Sequence, residues 1–315
     1  MSKKPKLNLS SLLGLLLLVF SLWAINKELH EYNYRDVLNN LAAIPKNLLI
    51  ASIGLTSLGY SAIAFYDILG FRYIGFSLSW KKIVFTNFIS SVFSNTIGFA
   101  LLTGSAIRYR FYSTWGISSL AIAQIIAFVN FTFWLGMFTL AGFMFLLNPL
   151  TIPPQLHLPL TSVRSIGVIF LLLIITYLLG SLIIKQPLII RSHEFKFPSF
   201  KISLAQIAVS SCDWMFAAAV LYVLLPANIS LSYLDFLGIY LLAMFAGVVS
   251  SVPGGLGVFE TVVLLILSSQ VPQVSAVAIL GSLLAYRGVY YFLPFIIAAA
   301  LLGVYELPQL RRIKK

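Results

Sequence analysis

A chain of 315 residues that is 60% hydrophobic and 10% charged, with a mean hydropathy of +0.97, carries more apolar surface than a water-soluble globule needs. Its net charge of +12 is not gathered into any polar stretch long enough to fold outside a membrane, which argues against nucleic acid and for anionic lipid as the partner. The single cysteine, Cys212, excludes an intramolecular disulfide and lies in an apolar run, where a small buried residue is expected.

In chain order, Lys3, Lys4 and Lys6 precede an apolar stretch over 7–25. It is about span length and no clean small-residue cleavage site follows, so it reads as an uncleaved first helix. Runs of span length follow at 46–69, 118–147, 163–184, 202–225 and 273–305. Two more, 82–102 and 233–250, each lead into a glycine-interrupted stretch and a second short apolar segment, giving about eight transmembrane segments by hydropathy.

Lysine and arginine mark the cytoplasmic side. They crowd the amino-terminal end, the loop with Arg72, Lys81 and Lys82, the 185–201 loop and the tail from Arg311. The 148–164 loop has only Arg164, and 226–232 has no charge. Both termini are thus expected in the cytoplasm. Residue 80 then lies inside and residue 148 outside, so segment 82–116 enters and returns on one side. Segment 233–270 does the same from the other side. Full-length helices with three crossings satisfy the same parity, but Gly98 and Gly104 in one segment, and Pro253, Gly254, Gly255 and Gly257 in the other, favour hairpins. The expected fold is all-α: one transmembrane domain over 1–315, with about six full spans and two re-entrant hairpins. Segments 46–147 and 202–305 form an inverted-topology repeat, as in many transporters.

The breaks need a chemical reason, because unpaired backbone groups in lipid cost several kcal/mol each. A short helix starting near Gly257 would aim its N–H groups inward, where they suit a phosphate. Gly254, Gly255 and Gly257 would let a headgroup approach the backbone; Gly104 and Ser105 would do the same in the first hairpin. Close helix packing through these glycines explains them equally well. Arg108, read as lying in the first turn after Thr103-Gly104-Ser105, wants an anionic partner, either a lipid phosphate or an acidic side chain. Glu260 suits a helix amino terminus on dipole grounds, and Arg110 suits a headgroup-facing position. Ser203, Gln206, Ser210 and Asp213 share one helix face, as do Asn87, Ser91, Ser94 and Gly98, and such stripes face other helices or a wet cavity. Arg287 lies mid-span, with Asp213 or Glu260 as its expected structural partner. Asp67 and Asp235 lie near span ends, where solvated or dipole-paired roles are expected. No nucleophile elbow, phosphate-loop lysine or metal-ligand spacing occurs, so no cofactor, metal or catalytic residue is assigned.

The stretches L-L-T-G-S-A-I-R-Y-R-F-Y-S-T-W-G-I-S (101–118), C-D-W-M-F-A-A-A-V-L-Y-V-L-L-P (212–226), V-P-G-G-L-G-V-F-E (252–260) and A-Y-R-G-V-Y-Y-F-L-P (285–294) resemble the membrane domain of the lysylphosphatidylglycerol synthetase/flippase family, the multiple peptide resistance factors. The resemblance covers nearly the whole chain. Family members with both activities add a soluble aminoacyl-tRNA-dependent transferase; this sequence stops at Lys315. The resemblance therefore implies lipid translocation in a bacterial plasma membrane without lipid synthesis, or with a separately encoded synthetase as partner. The implied substrate is an anionic or aminoacylated phospholipid. Its phosphate would meet the hairpin ends, Arg108 and Arg287, and its ammonium groups Glu260 and Asp213. A secondary transporter of a small polar solute and a non-transporting partner of a lipid synthetase are the alternatives.

Overall fold

The computed structural model describes residues 34–97, 100–150, 162–190, 193–250 and 252–313. They form α1 (Tyr34–Ala42), α2 (Lys46–Ile74), α3 (Trp80–Ile97), α4 (Ala100–Thr114), α5 (Ser119–Leu147), α6 (Arg164–Ile183), α7 (Phe200–Leu224), α8 (Tyr233–Val249), α9 (Val258–Gln270), α10 (Ala276–Tyr286) and α11 (Leu293–Ile313). A π-helical stretch, Arg287–Phe292, makes α10 and α11 one rod. Two three-residue strands, Leu188–Ile190 and His193–Phe195, pair antiparallel in the loop before α7.

Among the described helices, α2, α5, α6, α7 and the rod over 276–305 are long and apolar enough to cross a bilayer. They coincide with the span-length runs of the sequence; the run at 7–25 and Gly98 lie outside the described residues. Exposed residues of α6 include Ile169, Leu172, Leu173, Leu179 and Ile183. Such a face suits the hydrocarbon of a bilayer. Apart from that short strand pair, the described residues fold as helices, in a multi-pass membrane protein.

Local chemistry sets the helix ends. Ser118, Ser232 and Ser275 accept hydrogen bonds from backbone N–H groups three residues on, capping α5, α8 and α10. Gly75, at φ 69°, closes α2 in the left-handed region, and the Phe76 N–H returns to the Phe71 carbonyl at 3.1 Å.

The interrupted segments are built from short arms. α3 and α4 have 18 and 15 residues, and α8 and α9 have 17 and 13. At about 1.5 Å per residue these arms span roughly 20–27 Å, short of the ~30 Å hydrocarbon core. The first break differs from the sequence expectation. α4 begins at Ala100, so Thr103-Gly104-Ser105 continue a helix and Arg108 lies in its third turn. Gly104 stays helical because it is buried where α4 crosses α3: a β-carbon there would collide with Ser94 Oγ and lie 3.2 Å from the Ser90 carbonyl oxygen.

α2 and α7 pack along each other, with α5 against both. The largest apolar core lies beneath α5, α7, α8, α9 and α10, where Leu221, Tyr240, Phe259 and Tyr286 are sealed from the surface. The turn Pro253–Gly255 abuts the carboxyl end of α3. Both interruptions therefore meet at one place.

Candidate functional site

At the second interruption the backbone takes a path open only to glycine. Gly254, Gly255 and Gly257 have φ of 61°, 63° and 80°, where a β-carbon costs about 1–2 kcal/mol per residue. Gly255 also lies against Gly247, whose Cα would be 3.3 Å from an added β-carbon. α9 then starts at Val258. Glu260, in its first turn, turns back so that Oε2 accepts the Gly257 N–H at 2.8 Å. The chain's own carboxylate thus satisfies one N–H of this helix start.

The other oxygen of Glu260 accepts from Arg287 Nε at 2.6 Å, and Arg287 Nη1 donates to the Gly254 carbonyl at 2.8 Å. The guanidinium lies 4.6 Å from the Tyr291 ring centre and 5.5 Å from that of Phe259. Arg287 Nη2 is buried and has no hydrogen-bond partner. The arginine opens the π-helical stretch, a local widening that recurs at functional sites. Pro294 follows, and its missing N–H deprives the Tyr290 carbonyl of its usual helical donor. The Tyr60 hydroxyl of α2 supplies the replacement at 3.2 Å.

At the first interruption Arg108 meets Asp67. Nε lies 3.1 and 3.2 Å from the two carboxylate oxygens, and Nη2 lies 3.0 Å from Oδ2 and 3.3 Å from Ser91 Oγ. The Tyr112 hydroxyl donates to Oδ1 at 2.8 Å, and Asn87 Nδ2 donates to Oδ2. Asp67 is 0% exposed. Its expected place near a span end fails because α2 runs on to Ile74, leaving the carboxylate two turns inside the helix. Asp235 does behave as a helix-start residue, half-buried and bonded to Ser232 and Asn148.

The polar stripe of α7 faces protein. Gln206 accepts from Tyr177 at 2.6 Å and donates to Thr132 at 2.6 Å; Ser203 donates to the Tyr177 hydroxyl at 3.0 Å. Asp213 Oδ2 accepts from Tyr66 at 2.8 Å, while its Oδ1 is buried without a partner. Beside this stripe a groove of about 590 Å3, walled by Tyr73, Phe128, Phe131 and Tyr177, opens along exposed Ala123 and Ala127 of α5.

Of the residues singled out in the sequence, the structure brings Gly254, Gly257, Glu260 and Arg287 into one cluster, with Gly255 in its turn. Arg108 forms a second cluster on the neighbouring hairpin. Gly104 serves the α3–α4 contact, and Ser105 is half-buried on α4. Asp213 stands apart on α7. Tyr66, Tyr112 and the buried role of Asp67 were missed. The signal for Asp67 was an apolar pattern that continues four residues beyond it.

A family profile described as the lysylphosphatidylglycerol synthase transmembrane region matches residues 9–298. The chain is 47% identical over 302 residues to an uncharacterized protein of Synechocystis sp., covering 95% of this chain and 92% of that one. It is 32% identical over 251 residues to the inner membrane protein YbhN of Escherichia coli (strain K12), covering 79% and 77%. It is 25% identical over 288 residues to a phosphatidylglycerol lysyltransferase of Staphylococcus aureus, covering 90% of this chain but 32% of that protein.

Proposed function

We propose that this chain, which belongs to the lysylphosphatidylglycerol synthase transmembrane-region family, moves phospholipid between the leaflets of a bacterial plasma membrane, and that its cargo carries both a phosphate and an ammonium group. The observation that carries this reading is the Arg287–Glu260 pair at the glycine break, with one guanidinium nitrogen unpartnered. A phosphate engaging Arg287 would draw it from Glu260. A buried carboxylate left alone costs about 3–5 kcal/mol. A head bearing an ammonium group repairs that loss by occupying Glu260, so each half of the ion pair is exchanged for a half of the lipid head. An anionic lipid without an amine repairs only one side. The positive-φ glycines hold the Gly254 carbonyl and the start of α9 at the same place. An inverted repeat over 46–147 and 202–305, with both termini in the cytoplasm, would present this break to each leaflet in turn. The lysyltransferase relative supplies the class of lipid by name: an aminoacylated phosphatidylglycerol fits both charges.

The test is Glu260→Gln in proteoliposomes with matched amounts of folded protein. Loss of a charge-assisted bond to the amine costs about 1.5–3 kcal/mol. Transfer of aminoacylated lipid should fall roughly ten- to a hundredfold, and that of plain phosphatidylglycerol less. Equal, small effects on both lipids would leave Glu260 as a helix cap and overturn the exchange.

A further inference from the structure

Asp213 is a buried carboxylate to which the ion-pair exchange gives no role. It is 5% exposed, midway along α7. One oxygen accepts from the neutral Tyr66 hydroxyl; the other has no partner. Among the described residues, the two ion-paired guanidinium groups of the core are committed to Asp67 and Glu260. Tyr60, Tyr66, Tyr240, Tyr290 and Tyr291 lie within electrostatic reach of this carboxylate. The facing residue of α2 is Gly59. A β-carbon there would lie 4.0 Å from Asp213 Oδ1 and 3.8 Å from Tyr290 Cε2. The glycine thus keeps a side chain out of the space where the bare oxygen and the tyrosine ring converge.

From this arrangement we infer that Asp213, with Tyr66 and Tyr290 beside it, is a binding site for a monovalent cation. The chemistry is specific. A buried carboxylate is stabilised by a positive partner, which an ammonium group or a small ion supplies. The Tyr66 hydroxyl holds Oδ2 and leaves Oδ1 to face the cation. A continuous tyrosine wall leads from here to the break: Tyr290 lies 5.3 Å from both Tyr286 and Tyr291, and Tyr291 touches Arg287. The cation is either the amine of a lipid head or a free inorganic ion. This site goes beyond the lipid-transfer reading and does not require it.

The test is thermal unfolding of the detergent-solubilised full chain, titrated with ethylammonium, lithium, sodium or potassium chloride. N-methylglucamine chloride at equal ionic strength serves as the reference. A saturable rise in melting temperature is expected for at least one cation. Asp213→Asn should abolish it. Gly59→Ala, whose methyl makes only ordinary contacts, should fold and weaken the apparent affinity by taking up space beside Oδ1. A shift with ethylammonium alone assigns the lipid amine; a shift with an inorganic ion alone assigns a free ion. If no cation shifts the wild type, or if the Asp213→Asn variant shifts as the wild type does, the site is overturned. Because the readout needs no lipid transfer, its failure and that of the flippase reading are separable.

Discussion

Asp67 and Arg108 show how much a buried charge depends on its partner. Asp67 also receives Asn87 and Tyr112, so its two oxygens are covered from two helices, α3 and α4. Removing one member leaves the other charged and desolvated, which costs about 3–5 kcal/mol. Arg108→Gln and Asp67→Asn should each lower stability by that amount in detergent. The double variant, with no bare charge, should lose clearly less than the sum, as coupled neighbours do. Thermal unfolding of the four proteins checks this. Strict additivity would mean that the two side chains do not act as a pair. The Glu260–Arg287 pair is different in kind. It retains an unpartnered donor at Nη2 and sits on a backbone turn, so it has something to offer a ligand.

At the scale of the element, the helices are set by close approach as much as by hydropathy. Gly136 of α5 lies against α7 so tightly that a β-carbon would be 2.6 Å from the Ser210 carbonyl oxygen. That neighbour is backbone and cannot rotate away. Gly136→Ala should therefore force the two spans apart and destabilise by about 1–3 kcal/mol, whereas Gly54→Ala, with open space at its β-carbon, should be neutral or mildly stabilising. Comparing their unfolding midpoints tests the packing. Nothing in the sequence distinguished these two glycines, because the difference lies in the neighbouring helix. The long spans were legible, since only helices satisfy their own backbone in lipid and an apolar run reports its own length. The glycine break at 254–257 was legible for a related reason: breakers stand out in an apolar background. Where α4 begins was not. Thr-Gly-Ser looks like a helix start, yet a neighbouring helix that fills the glycine notch allows the helix to run through it. Partner choice was hidden too. Arg287 had two carboxylates in prospect, and only the fold sets which one it reaches. For Arg108, the sequence left open a lipid phosphate or an acidic side chain, and the structure supplies Asp67.

For the whole molecule, the arms of both interrupted segments are shorter than a span, and their breaks meet where Gly254 lies against the Asn95 and Thr96 carbonyls. Two hairpins entering from opposite faces would produce that meeting near the midplane. Single cysteines in a Cys212→Ser background test it. Positions at Ser79 and Trp115 should both label from the cytoplasm, and positions at Ser232 and Gln270 should both label from outside. Labelling of Ser79 and Trp115 from opposite faces would replace the first hairpin with full crossings.

Lipid transfer itself can be measured with the unaltered protein. The purified chain would be reconstituted into vesicles holding aminoacylated phosphatidylglycerol in the inner leaflet, and exposure of its amine at the outer surface followed with a membrane-impermeant amine reagent. Exposure should be much faster than in protein-free vesicles, and faster for the aminoacylated lipid than for phosphatidylglycerol followed by a headgroup-specific probe. Exposure at the protein-free rate, with folded protein verified in the same vesicles, would contradict it.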